Sequence, residues 1–359
     1  MRGALSTYGF VSAKLKARLS RILPPEALDR MVRARSLPEA MLLLKGTAYE
    51  AIEEAYSQTG DLRSGEALIN ERELNLYTGL FRYFEDPVLG FVRALSLRFD
   101  VEKVKNSLRL WFDNHVRGRS VDGRSGYVYR KVIVHHFDVD RVVRAPDVDA
   151  LVEAFEGTPY AAIARAQMPR VVSGRSVFPL EMALDRFYFE SVFTAAAGLS
   201  RKDRVVAERI LGVDVDMQNV SWLVRFTGFY GMSADAAVGY LIPRGHAIGS
   251  AAVSEAFSAE KGSPGSAGAL GLELLRKTYG QFGVLLGGSG DATARLSLME
   301  GALRQIAISE AGRSLSGYPF SIGVVLAYFT RQREELRSIM TILNAKEYDL
   351  PEERIRSAL

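Results

Sequence analysis

FDVEKVKNSLR at residues 99–109 sets an acid, Asp100, ahead of apolar residues spaced three and four apart: Val101, Val104 and Leu108. That spacing puts the apolar side chains on one face of a helix. The phrase returns 116 residues further on as VDMQNVSWLVR at 215–225. Asp216 then stands on Asp100, Val220 on Val104, Val224 on Leu108 and Arg225 on Arg109. A third copy, ELRSIMTIL at 335–343, lies 119 residues beyond the second. It keeps an acid at Glu335 and the stripe at Leu336, Ile339 and Leu343, and it has Asn344 in place of the arginine. An acid in the first turn of a helix satisfies free amides and opposes the positive end of the helix dipole. On this reading Asp100, Asp216 and Glu335 begin their helices.

A repeat at fixed period implies repeated structural units. LEMALDR at 180–186 and MEGALRQ at 299–305 share a glutamate, an alanine and a leucine in the same 119-residue register. Three units of roughly 117 residues nearly fill the chain, with expected bounds near 1–118, 119–240 and 241–359, either consecutive or interleaved. Each unit reads as helical. SAKLKARLSRIL at 12–23 carries a stripe of Leu15, Leu19, Ile22 and Leu23. SLPEAMLLL at 36–44 starts with Ser36 as a cap and has Pro38 in the first turn, where a missing N–H costs little. MSADAAVGYLIP at 232–243 has Ser233 as its cap and stops at Pro243, and YDLPEERIRSAL at 348–359 orders its charges to suit a helix dipole. YVYRKVIVHHF at 127–137 is rich in β-branched residues, but a lone strand has no partner, so an irregular or helical segment is expected. Loops are expected at 116–126, 259–271 and 285–292.

The composition narrows the class. The chain has 359 residues, 48% of them hydrophobic and 25% charged, as in a soluble globular protein. The absence of cysteine excludes disulfides, thiolate metal sites and cysteine nucleophiles, and it suits a reducing cytoplasm. No apolar run reaches the ~18 residues of a membrane span; PFSIGVVLAYF at 319–329 comes nearest. The N-terminal stretch lacks the features of a secretory signal. The net charge of +4 is spread among interleaved acids and bases, without the concentrated basic face of a nucleic-acid binder.

No catalytic constellation emerges. LLGGSGDATAR at 285–295 lacks the lysine of a phosphate loop, and Thr293 stands where the last glycine of a dinucleotide turn belongs. His135 and His136 are adjacent, so on a helix they point apart, and no H-E-x-x-H pattern joins them to His115 or His246. There is no G-x-S-x-G elbow. Asp185 comes nearest to an apolar setting, but Arg186 and the aromatic stripe of Phe187, Phe189 and Phe193 suggest a packed amphipathic helix. The residues alone stop at a helical adaptor without catalytic, metal or cofactor site.

In order and spacing, however, the pieces resemble a family. YGFVSAKLKARLSRIL near the start, SLPEAMLLLKGTAYEAI with Leu44, Thr47 and Tyr49, LEMALDRFYFE, GYLIPRG at 239–245 and PFSIGVVLAYFTRQREELRSIMTI are similar to segments of the C subunits of archaeal and bacterial A/V-type rotary ATPases, relatives of the d subunits of vacuolar ATPases. The repeated phrase resembles theirs too, with Asn219 in its usual place and Lys103 and Ser338 replacing that asparagine; Gly323 replaces a usual proline. The resemblance implies an all-α protein of three similar helical domains in a pseudo-threefold, funnel-like arrangement. It implies a non-catalytic central-stalk component, peripheral to the cytoplasmic side of the membrane. Its partners would be the membrane rotor ring and the D- and F-type shaft subunits, to which it would transmit torque for proton or sodium transport coupled to ATP. A generic helical scaffold for soluble partners is the alternative. Arg109 and Arg225, read as ending equivalent helices, are the expected partner contacts, with an internal salt bridge as the competing role.

Overall fold

A computed structural model describes residues 3–121, 128–228, 234–249, 251, 253, 279–280 and 292–359. The described residues are helical, with no strand among them. In chain order the helices are α1 (Ala4–Leu19), α2 (Pro25–Arg33), α3 (Leu37–Leu42), α4 (Glu50–Thr59), α5 (Leu62–Thr78), α6 (Val88–His115), α7 (Val139–Val143), α8 (Val148–Glu153), α9 (Pro159–Gly174), α10 (Phe178–Ala197), α11 (Arg201–Gly228), α12 (Ala234–Tyr240), α13 (Ala292–Ser316), α14 (Ile322–Glu347) and α15 (Glu352–Ala358). They divide into two compact units, one of residues 67–199 and one that joins 1–66 to 200–359.

Local chemistry sets many of the boundaries. Ser36 accepts from the Glu39 amide at 3.4 Å, as its capping role requires, and Asp147 accepts from the Ala150 amide at 2.8 Å at the start of α8. Thr158 caps α9 with Pro159 as the first helical residue. Helix α1 ends at Leu19, so Ile22 and Leu23 fall in the following turn and the buried face is Tyr8, Val11, Ser12 and Leu15. Residues 128–137 are irregular, as their isolation suggested. Of the expected loops at 116–126, 259–271 and 285–292, residues 116–121 are irregular and Ala292 opens α13, while 122–126, 259–271 and 285–291, with the expected cap Ser233, lie outside the described residues.

In the unit 67–199, α6 packs on α10 and α7, and α9 packs on α10 and α8. Its core gathers Trp111, Phe112, Phe137, Leu151, Phe155 and Tyr160, each at most 5% exposed. Each such burial contributes about 1.5–3 kcal/mol. In the other unit α14 is central, against α13, α1, α11, α3 and α2. Asp203 in the first turn of α11 ties three helices: its carboxylate accepts from the Tyr8 hydroxyl at 3.1 Å and from the Ile322 amide at 2.9 Å. The chain ends meet where Arg356 of α15 donates to Asp29 of α2 at 2.6 Å.

Candidate functional site: three buried carboxylate nodes

The repeated acids do not begin their helices. Asp100, Asp216 and Glu335 lie about three to four turns inside α6, α11 and α14. In α6 the buried residues Val88, Phe91, Val92 and Leu95 extend the apolar face upstream of the phrase, and the helix extends with it. The acids serve amides of other segments. Asp216 is fully buried; Oδ1 accepts from the Ile248 amide at 3.1 Å, and Oδ2 accepts from the Ala247 amide at 2.8 Å and the Tyr279 hydroxyl at 2.6 Å. Asp100, also fully buried, accepts from the amides of His135 at 2.7 Å and Val134 at 3.5 Å, and from the Tyr160 hydroxyl at 3.3 Å. Glu335 accepts from the Leu23 amide at 2.6 Å and from the Gln332 side chain at 2.9 Å, and Gln332 also donates to the Tyr49 hydroxyl at 2.5 Å. Each copy of the phrase thus holds an irregular segment by its backbone beside a buried tyrosine.

The elements around two of these nodes repeat as well, 111 residues apart. LDRMVRARSLPEAMLLLKGTAYEAI at 28–52 matches VDRVVRAPDVDALVEAFEGTPYAAI at 139–163 without a gap. Thr47 donates to the Leu44 carbonyl at 2.6 Å and accepts from the Tyr49 amide at 3.0 Å. Thr158 makes the same bonds, to the Phe155 carbonyl at 2.7 Å and from the Tyr160 amide at 3.2 Å. Gly46 and Gly157 both adopt positive φ, 71° and 79°, where a side chain is strained. Trp111 Nε1 donates to the Ala145 carbonyl at 2.8 Å, and Lys346 Nζ donates to the Ala34 carbonyl at 2.5 Å. Trp111 follows Asp100, and Lys346 follows Glu335, by the same eleven residues. The N-terminal helices α2–α4 therefore stand to α14 as α7–α9 stand to α6. Sequence reading centred on the phrase missed this second repeat; G-T-x-Y in the two segments is the signal that reveals it.

The asparagine position of the phrase acquires a role. Asn219 donates to the Ile242 carbonyl and accepts from the Ile242 amide, both at 2.9 Å, so it holds the turn after α12 from both sides. At the same position Lys103 donates only, to the Lys131 carbonyl at 3.3 Å, with its ammonium 4.2 Å from the Phe137 ring centre. Gly245 approaches the second node so closely that a Cβ there would sit 2.2 Å from Asp216 Oδ1.

Burial pushes the Asp100 and Asp216 carboxyls above the ordinary carboxylate range, against the amides that pull them down. His135 and Lys103 face Asp100 and oppose the rise, as do Tyr279 and His246 at Asp216. Burial and the adjacent carboxylate raise Tyr160 and Tyr279 in turn, so both keep their protons. A folded-state pKa above the unfolded value means that the native protein binds the proton more tightly. These two acids then cost least at low pH, and their penalty is complete above the folded pKa. Relative to an Asp100→Asn/Asp216→Asn variant, wild-type stability is expected to rise as pH falls from neutral through the raised folded-state pKa values of the two acids. Urea midpoints at several pH values measure this, and a fall of wild type relative to the variant would overturn it.

Between α6 and α10 lies a second charged cluster. Lys105 makes a short ion pair with Asp185 and another with Glu102 at 3.2 Å; its own side chain is 7% exposed. Asp185 sits on a packed helix, as expected, but is also engaged in this buried pair. One turn along, Arg109 Nε pairs with Glu181 at 2.6 Å, and Nη1 donates to Asn106 at 3.0 Å. Arg109 lies inside α6 and not at its end. Arg225 lies in α11, and its side chain is outside the described residues. Because Arg109 is 47% exposed, Arg109→Ala is expected to change the stability of its unit by less than about 1 kcal/mol in chemical denaturation. Among the described residues no cluster of histidine, aspartate and glutamate could hold a metal, and no helix is long and apolar enough to cross a membrane.

Helices pinned by recurring buried acids define an all-helical repeat scaffold whose polar interior is spent on holding its own loops. The chain belongs to the ATP synthase (C/AC39) subunit family, whose pattern matches residues 11–358. It is similar to the C subunit of the A-type ATP synthase of Methanocaldococcus jannaschii, with 20% identity over 99% of this chain and 86% of that protein. The corresponding proteins of Methanosarcina acetivorans and Halobacterium salinarum are 23% and 21% identical, each over 99% of this chain and over 93% and 97% of their own lengths.

Proposed function

We propose that this chain is a non-catalytic rotor adaptor of an A-type ATP synthase. In this reading it links the membrane rotor ring to the central shaft and passes torque between them, peripheral to the cytoplasmic side of the membrane. The observation that carries the reading is the end-to-end family match. Its chemistry is consistent: a torque coupler needs a stiff body, and buried carboxylates that anchor irregular segments to long helices supply stiffness where loops would otherwise yield. The recurring nodes support three similar helical domains in a pseudo-threefold, funnel-like arrangement; because each node ties residues on both sides of a division near 118 or 240, or joins the third stretch to the first, the three units interleave. The shaft side would be met by D- and F-type subunits, with Arg109 and Arg225 as contacts.

The test is a tagged purification from native membranes in mild detergent, assayed for the proteins recovered and for ATPase activity. Joint recovery of catalytic, shaft and ring proteins is the expected result, and deletion of the gene is expected to detach the catalytic head from the ring. Recovery with soluble partners only would favour a generic helical scaffold and sink the rotor reading.

A further inference from the structure

Where α6 and α9 end, the unit 67–199 presents arginines almost unopposed. Arg175 Nη2 donates to the Val116 carbonyl at 2.8 Å, which brings the end of α9 to the end of α6. Beside Val116, Arg117 pairs with Asp113 at 3.1 Å, and its guanidinium carbon lies 4.9 Å from the centre of the Phe112 ring. The backbone folds back here, with the Arg119 amide donating to the Asp113 carbonyl at 2.8 Å. Arg119 and Arg170 are exposed, and no described acid pairs with either. Val172, 41% exposed, lies between Arg170 and Arg175 on α9. Within 114–121 and 169–177 every described charged residue is an arginine apart from His115.

We infer that this arginine end is a docking surface for an acidic protein face, a neighbouring protein of the complex that presents carboxylates; the inference rests on the rotor reading above. Charge complementarity selects an acidic partner. All four cations are arginine and none is lysine, and the planar guanidinium fork matches a carboxylate with two parallel bonds. Arg117 and Arg175 are held by internal contacts before any partner arrives, which favours carboxylates on a rigid protein over a fluid layer of lipid headgroups. The exposed Val172 adds a small apolar contact inside a cationic rim, as in protein interfaces where arginine is enriched and lysine depleted.

The experiment compares tagged wild-type chain with Arg119→Glu/Arg170→Glu, Arg119→Ala/Arg170→Ala and a control of equal charge change in the other unit, Arg201→Glu/Lys202→Glu. Each is purified from native membranes, and ATPase proteins recovered per tagged chain are measured at increasing salt. Tryptophan fluorescence, from Trp111 in one unit and Trp222 in the other, checks that each variant is folded. The expected result is at least about tenfold lower recovery for Arg119→Glu/Arg170→Glu, release at lower salt for the alanine pair, and wild-type recovery for the control. Equal recovery by all variants overturns the inference while the rotor reading stands. So does equal weakening by the control, which signals overall charge alone. Unchanged recovery with lost binding to vesicles containing phosphatidylglycerol assigns the surface to lipid and also overturns it. If wild type itself recovers no ATPase proteins, the rotor reading fails, and the inference with it.

Discussion

Lys105→Met is expected to destabilise the unit of residues 67–199 by about 2–3 kcal/mol, because it leaves the largely buried Asp185 carboxylate, 18% exposed, without its cation. The methionine fills the space of the lysine stem, so packing loss contributes little. Lys105→Met/Asp185→Leu is expected to regain most of that stability, since it removes both charges and their desolvation together. The measurement is favoured by the placement of the two tryptophans, one per unit. Trp111 belongs to α6 and Trp222 to α11, and both are buried. With Trp222→Phe as background, urea denaturation followed by fluorescence reads the unit that contains Lys105 alone. If the single variant is as stable as its parent, the pair has no structural role; if the double variant is as unstable as the single, packing and not charge sets the cost.

The second large effect is expected at Asp216. Replacement by alanine strands two backbone amides and the Tyr279 hydroxyl, at about 1–3 kcal/mol for each buried donor, so a loss of about 3–5 kcal/mol is expected after partial relaxation. Asp216→Asn keeps one acceptor oxygen but turns a donor toward a neighbouring amide, and an intermediate loss is expected. Trp222 lies on the same helix and reports the transition when Trp111 is replaced by phenylalanine. An alanine variant within about 0.5 kcal/mol of wild type would mean that water replaces the carboxylate at no cost, contrary to the node's role. Its counterpart Asp100 has the same kinds of donor, so the two alanine variants are expected to act separately on the two units.

Stability losses of this kind bear on the proposed rotor role. A coupler whose loops detach from its helices yields under load before it transmits torque. Variants that loosen a node while leaving the chain folded are therefore the ones in which assembly would persist and coupling would weaken.

The repeated phrase, the helical periodicity and the family resemblance could all be read from residue order. Periodicity is a property of neighbouring residues, and it survives without knowledge of what covers the apolar face. That is why the helical class, the irregular segment at 128–137 and the Ser36 cap were legible. The meaning of the repeated acid was not. An acid ahead of an apolar stripe looks the same whether it caps its own helix or binds an amide 35 residues away, as Asp100 does with His135. Burial decides between the two, and burial is a tertiary quantity. The partnership of Glu335 with Leu23, 312 residues apart, also left no local trace, because it depends on the chain ends meeting within one unit. Lys105 and Asp185 each read as ordinary charges on amphipathic helices until packing of α6 on α10 enclosed them together. Sequence alone determined that this protein is a helical repeat; only the fold, by removing particular polar groups from water, decided which of its charges hold it together.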